Sequence, residues 1–208
     1  ITSNGFPISE KIAEELAQRV VSVSISIHGA SDETHELITG VNKAGDNAWK
    51  AIRRMVSAKR ARPGSKLSVN VSTVIQRANF RELPALVRRA HEAGVDGINI
   101  QPINLQHGGF KGDDIIRRDD IGLMAKLWPT RGEHTELNAM FDELLALRQD
   151  LGKVMHASPE RIELMRKYFR DSSREALRVA CRVGEAFLAV DHRGTIKPCY
   201  RLPWSHGD

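Results

Sequence analysis

Residues 20–29, VVSVSISIHG, form the stretch that decides the fold. Between Val21 and Ile27 the apolar residues alternate with serine, and all of them are Val or Ile. Alternation of this kind, with β-branched side chains, is typical of a β-strand. His28-Gly29 ends the pattern, so we expect a strand whose carboxyl end carries His28.

Helical segments flank this strand on both sides. Ser9 is suited to cap a helix that runs to Arg19, because apolar residues follow it at helical spacing. After a loop with short helical character, Gly45-Asp46 opens another predicted helix, and Asp46 is its expected cap.

Two further strands are predicted at 67–75 and 95–102. The helix between them is expected to start at Asn79, with Glu82 three residues on in a capping-box arrangement. Strand and helix therefore alternate through the first half of the chain, which predicts an α/β fold built of parallel β/α units. Such units close into a barrel or form an open, doubly wound sheet.

In either arrangement, the residues that work on a ligand lie at the carboxyl ends of the strands. The polar or glycine positions predicted there, or just after them, are Asn4, Gly5, Ser26, His28, Asn79 and Gln101. For Ser26 and His28, satisfying the backbone at a strand end is an equal alternative to a ligand contact. For Asn79, helix capping is the favoured reading.

The second half of the chain has a different pattern. Helices are predicted at about 114–127, 135–151 and 158–169, and residues 186–199 read as a β-hairpin with Gly194 in its turn. We therefore divide the chain at 1–112, 113–175 and 176–208.

The composition excludes some functions. The net charge is +5 and the pI is near 9.4, but the arginine pairs are scattered and aromatic residues make up only 5%. Few bases can stack on so few rings, so nucleic acid is not an expected partner. No membrane-spanning run or signal peptide is visible, and we expect a cytoplasmic protein with no membrane partner.

The chain has two cysteines, Cys181 and Cys199. On their own they permit a disulfide, two buried thiols, or two metal ligands whose partners lie elsewhere.

The order of several segments resembles the middle and later strands of radical S-adenosylmethionine (radical SAM) enzymes. These segments are Ser3-Asn4-Gly5, Ser26-Ile27-His28-Gly29, His35 to Gly40, Thr73-Val74-Ile75 with Asn79, and Gln101-Pro102. In addition, the spacing Cys181-x12-Gly194-x4-Cys199 is similar to the opening of the SPASM and twitch domains, which hold auxiliary iron–sulfur clusters. The sequence departs from the family at His28, where Asp is usual.

The resemblance implies a partial parallel (β/α) barrel of the radical SAM type at 1–112, a helical continuation at 113–175, and the start of an auxiliary-cluster domain at 176–208. It implies that S-adenosylmethionine (AdoMet) contacts Asn4, Gly5, Ser26, His28, Asn79 and Gln101. It also implies that Cys181 and Cys199 bind an auxiliary iron–sulfur cluster.

The family's Cys-x3-Cys-x-x-Cys loop, which holds the catalytic 4Fe–4S cluster, does not occur in these 208 residues. We therefore expect the sequence to be an inactive fragment of a longer enzyme. The resemblance implies reductive cleavage of AdoMet to a 5′-deoxyadenosyl radical, a peptide, protein or small-molecule substrate, and a reductant such as flavodoxin or ferredoxin.

Two other interpretations stay open. A different β/α-barrel lyase would need a Schiff-base lysine at a strand end, or a cluster of histidines and carboxylates. A non-catalytic peptide-binding domain would need neither, and its gene would lack the cluster loop.

Overall fold

The computed structural model describes residues 1–103, 126–170, 189–190 and 193–197. Within these ranges the strands are β1 (Thr2–Ser3), β2 (Ser22–Ser26), β3 (Ser68–Ile75), β4 (Gly97–Pro102), β5 (Ala189–Val190) and β6 (Ile196–Lys197). The helices are α1 (Glu10–Arg19), α2 (Asp32–Thr39), α3 (Ala44–Ala61), α4 (Leu83–Glu92), α5 (His134–Leu151) and α6 (Pro159–Arg170).

The first four strands form one sheet in the order β1-β2-β3-β4, and every neighbouring pair is parallel. Helices connect the strands in sequence, as β/α units require. The prediction of parallel β/α units is therefore confirmed, and the four strands make a partial β/α fold.

The core lies on one face of this sheet. Ile25 and Ile27 from β2 and its extension are fully buried, together with Trp49 of α3. Ile98 and Ile100 of β4 are also fully buried. Because side chains alternate across a strand, the residues between these apolar positions belong to the opposite face.

Of the two helix caps predicted for α1 and α3, the first is confirmed and the second is wrong. Ser9 caps α1 as expected, with its hydroxyl accepting a hydrogen bond from the Ile12 N–H. The expectation that Asp46 caps α3 is wrong, because α3 begins at Ala44 and Asp46 lies in its first turn. The helix starts where α2 packs closely on it: a Cβ at Gly45 would lie 2.6 Å from the Asp32 carboxylate.

The capping box predicted at Asn79 is also wrong. A short 3₁₀ turn, Phe80–Glu82, precedes α4, and the Asn79 side chain makes no cap hydrogen bond to it. The Asn79 amide is used instead by the ends of two strands, as described below.

In the second half, α5 and α6 confirm the predicted helices at 135–151 and 158–169. The phenol of Tyr168, in α6, donates a hydrogen bond of 2.9 Å to the Ile103 carbonyl just after β4. Strands β5 and β6 pair antiparallel around Gly194, whose φ of 86° suits the predicted turn.

Some predictions fall outside the described residues. These are nearly all of the helix at 114–127, and both Cys181 and Cys199. Among the helices that the structure describes, each is too short or too polar to cross a lipid bilayer.

Candidate functional site

Polar side chains form a row across the face of the sheet opposite the core. Ser26 of β2 is in register with Ser72 of β3, and Ser72 is in register with Asn99 of β4. Register partners in a parallel sheet share a face, and all three residues are half-buried. One step nearer the carboxyl end, Val74 is in register with the exposed Gln101.

The side chains of this row can hydrogen-bond to a ligand. Within the described ranges, the hydroxyls of Ser26 and Ser72 and the amides of Asn99 and Gln101 make no hydrogen bond to protein. None of these atoms is buried without a partner either. A ligand on this face would therefore meet several uncommitted donors and acceptors. We call Ser26, Ser72, Asn99 and Gln101 the polar row.

His28 lies just beyond the end of β2, beside this row. Its Nδ1 accepts a hydrogen bond of 3.3 Å from the Val74 N–H of β3. Its own backbone N–H donates to Nδ1 of His35 at 2.9 Å, and the two rings stack with centroids 5.8 Å apart. His35 is nearly fully buried in α2, so the pair fixes the start of the β2–α2 loop.

The pair is held uncharged at neutral pH. Burial, and secondarily the neighbouring His35, lower the pKa of His28 to about 4. Burial also lowers the pKa of His35, although Asp32 opposes the shift. Both rings therefore act as neutral imidazoles near pH 7.

Asn79 ties the ends of β2 and β3 together. The residue is fully buried, and its amide nitrogen donates to the carbonyls of His28 at 2.7 Å and Val74 at 2.8 Å. Its amide oxygen accepts from the Gln76 N–H at 2.9 Å. These bonds make Asn79 a residue that positions both loops, while its predicted contact with AdoMet remains a prediction.

Glu82 anchors the β2–α2 loop from the other side. Its carboxylate accepts hydrogen bonds from the Ser31 N–H, the Ser31 hydroxyl and the Thr34 hydroxyl at 2.6 to 2.9 Å. Burial would raise the pKa of Glu82, but these bonds outweigh burial and lower it. The carboxylate is thus part of the scaffold that holds the loop next to His28.

Asn4 and Gly5 follow β1 at the same edge of the sheet. Asn4 is exposed, and its side-chain oxygen accepts a hydrogen bond of 3.1 Å from the Phe6 N–H. Gly5 has a φ of 84°, and a Cβ there would lie 3.0 Å from the Ala48 Cα and the Ala51 Cβ of α3. Glycine is therefore explained at this position by the turn and by close packing.

The structure brings Ser26, His28 and Gln101 to one edge, together with residues that the sequence reasoning missed. Ser72 and Asn99 complete the polar row, and His35 and Glu82 support it. The alternation within 67–75 and 95–102 carried the signal for Ser72 and Asn99, since each occupies a polar position between buried ones.

The described residues differ in how they fit the implied cofactors. Iron–sulfur clusters need cysteine thiolates, and the described ranges hold no cysteine and no metal-ligand group of three His, Cys, Asp or Glu residues. The described residues therefore supply no cluster ligands, and Cys181 and Cys199 lie outside them. AdoMet offers carboxylate, ammonium, ribose and adenine groups, and the hydroxyls and amides of the polar row can hydrogen-bond to such groups.

Comparison with solved structures shows which proteins have a similar fold. Parallel β/α architecture of this kind is similar to that of radical SAM enzyme structures. One match is native anSMEcpe, an anaerobic sulfatase-maturating enzyme, with bound AdoMet and the Cp18Cys peptide. That match has a TM-score of 0.57 and 16% identity, and covers 100% of this chain and 53% of the other.

A second structure of the same enzyme, with AdoMet and the Kp18Cys peptide, has a TM-score of 0.56, 16% identity and the same coverages of 100% and 53%. The chain thus spans about half the length of the enzymes that it matches. No protein-family model matches the sequence, and neither does any curated protein sequence.

Proposed function

We propose that this chain is part of a radical SAM enzyme and that AdoMet binds at the carboxyl edge of its parallel sheet. The polar row carries the proposal, because its four side chains are uncommitted although they lie together on a sheet whose other face is packed. These groups are reached by solvent and are bonded to no protein atom, so they can hydrogen-bond to a ligand without breaking an existing protein contact. The similarity of the fold to AdoMet-bound enzymes supports this choice of ligand.

In this proposal the described residues bind and orient AdoMet. Ser26 and Ser72 contribute hydroxyls, Asn99 and Gln101 contribute amides, and Asn79 keeps the neighbouring loops in place. A 4Fe–4S cluster would supply the electron for cleavage of AdoMet; the Cys-x3-Cys-x-x-Cys loop that would hold it does not occur in these 208 residues. The cofactors carry the radical chemistry, while the protein positions the reactants and excludes water.

Three further parts of the proposal rest chiefly on the sequence resemblance. Cys181 and Cys199 contribute to an auxiliary cluster, and the antiparallel pairing of β5 with β6 around Gly194 supports a hairpin between them. The substrate is a peptide, a protein side chain or a small molecule, and the electron donor is a flavodoxin or ferredoxin.

The test uses the full-length gene product, prepared anaerobically with iron and sulfide. We expect it to bind AdoMet and, when reduced, to release 5′-deoxyadenosine. Ser72→Ala should weaken AdoMet binding by about threefold to tenfold, the size of one lost hydrogen bond. Ser57→Ala is the matched control, because Ser57 is exposed on α3, away from the polar row.

The outcomes separate the alternatives. If AdoMet does not bind, or if Ser57→Ala weakens binding as much as Ser72→Ala, the proposed site is wrong. Binding without release of deoxyadenosine under reducing conditions would favour a non-catalytic ligand-binding domain.

A further inference from the structure

The two ring nitrogens of His28 have different partners. Nδ1 accepts the Val74 N–H at 3.3 Å. A backbone N–H can only donate, so Nδ1 must carry the lone pair, and the proton of the neutral ring must lie on Nε2. Within the described ranges Nε2 itself has no hydrogen-bond partner, and it is not a buried orphan.

The surroundings of His28 keep the ring in this form. From α2, the neutral His35 ring stacks on the His28 ring. Asp32, also in α2, lies close enough to His35 for its charge to oppose the lowering of the His35 pKa by burial. From the 3₁₀ turn, the Glu82 carboxylate accepts three hydrogen bonds from Ser31 and Thr34. From α4, the Arg89 guanidinium donates to the Ala30 carbonyl.

None of those charged groups hydrogen-bonds to His28 itself. A protonated ring would also lose the Val74 hydrogen bond, because Nδ1 could then no longer accept it. The lowered pKa of His28 agrees with this geometry.

We propose that His28 presents a fixed, neutral Nε2–H donor to the ligand, so that this corner of the site takes an acceptor oxygen such as a carboxylate or carbonyl. The identity of the ligand rests on the proposed function, but the donor state of His28 does not.

The donor state is tested first, without any ligand. Nitrogen-15 spectra of the histidine side chains in the full-length protein should show His28 with Nδ1 unprotonated and Nε2 protonated from pH 7.5 down to about pH 5. A His28→Gln sample assigns the signal. A ring protonated at Nδ1, or one that gains charge near the ordinary pKa of 6.5, would overturn the inference.

The acceptor on the ligand is tested with two variants of nearly the same shape. In His28→Gln the amide can still donate, and we expect AdoMet to bind within about threefold of the unmodified protein. In His28→Glu the carboxylate can only accept, and we expect binding at pH 7.5 to weaken by about tenfold or more. If His28→Glu binds AdoMet as tightly as His28→Gln, the ligand places a donor there and the inference is wrong.

The remaining outcomes are also decisive. Thermal unfolding shows whether both variants fold, and His28→Leu replaces His28→Glu if the latter does not. His28→Leu should then bind at least fivefold more weakly than His28→Gln, and equal binding would exclude a hydrogen bond. If the unmodified protein fails to bind AdoMet, the proposed function is wrong, and so is the inference that AdoMet places an acceptor at His28. The nitrogen-15 spectra still test whether Nε2 of His28 carries the proton.

Discussion

Both ends of the parallel sheet are polar, but on the face opposite the core the polar side chains are hydrogen-bonded to each other at the amino end and, among the described residues, not at the carboxyl end. At the amino end, the Asn70 amide donates to the Ser22 and Ser68 hydroxyls, each at 3.1 Å, and the Asp96 carboxylate accepts the Val69 N–H at 2.8 Å. At the carboxyl end, the polar row makes no such bonds among the described residues. Hydrogen-bond satisfaction therefore distinguishes polar residues that build the sheet from those free to bind a ligand.

The largest effect is expected at Asn79, whose side chain, alone among those that the structure describes, binds backbone at the carboxyl ends of both β2 and β3. Asn79→Leu leaves the His28 and Val74 carbonyls and the Gln76 N–H without partners. We expect the free energy of unfolding to fall by about 3 kcal/mol or more, and AdoMet binding to weaken as well. Urea unfolding and ligand titration measure the two effects.

Asn47→Ala is the control for Asn79, because the Asn47 amide makes a single exposed hydrogen bond, to the Lys43 carbonyl. If Asn79→Leu lowers the free energy of unfolding no more than Asn47→Ala does, other contacts hold the two loops.

The second prediction compares the replacement of one asparagine by alanine at each end of the sheet. Asn70→Ala should reduce the free energy of unfolding by about 2 kcal/mol and leave AdoMet binding unchanged, since the Asn70 amide bonds only to protein. Asn99→Ala should weaken AdoMet binding by about tenfold and change stability by less than about 0.5 kcal/mol. Equal effects of both variants on stability would remove the contrast between the two ends.

The smallest effect concerns pH. The unfolded chain binds protons on His28 and His35 near pH 6.5, whereas the folded pKa of His28 is about 4 and that of His35 is also lowered. As the pH falls from 6.5 towards 4, the unfolded chain takes up protons on these histidines before the folded chain does. The free energy of unfolding is therefore highest above pH 6.5 and decreases over this range. We expect on the order of 1–2 kcal/mol between pH 7.5 and pH 5, and His28→Gln should flatten this slope.

The measurement for pH is the urea midpoint at several pH values. Glu82 acts in a different window, because its lowered pKa gives stability that is lost only below its ordinary value of 4.5. An unchanged slope in His28→Gln would mean that the ring does not titrate as its burial requires.

Local pattern predicted much of this fold and less of the site. The alternation in 20–29 correctly gave the strand and its carboxyl end, and Ser9 correctly gave the start of α1. Asn79 looked like a helix cap because that reading needs only its neighbours, while one of its partners, His28, is 51 residues away. Ser72 and Asn99 became visible as site residues only once the register placed them beside Ser26.

The packing around Gly29 bears on how relatives of this chain can vary. Gly29 is buried, and a Cβ there would lie 2.7 Å from the His35 nitrogen and 2.8 Å from the Thr34 Cβ. Any side chain would push apart the loop that carries His28. Over evolutionary time we therefore expect Gly29 to tolerate no replacement, whereas Ser26 and Gln101, whose side chains make no hydrogen bond among the described residues, can change as the bound molecule changes.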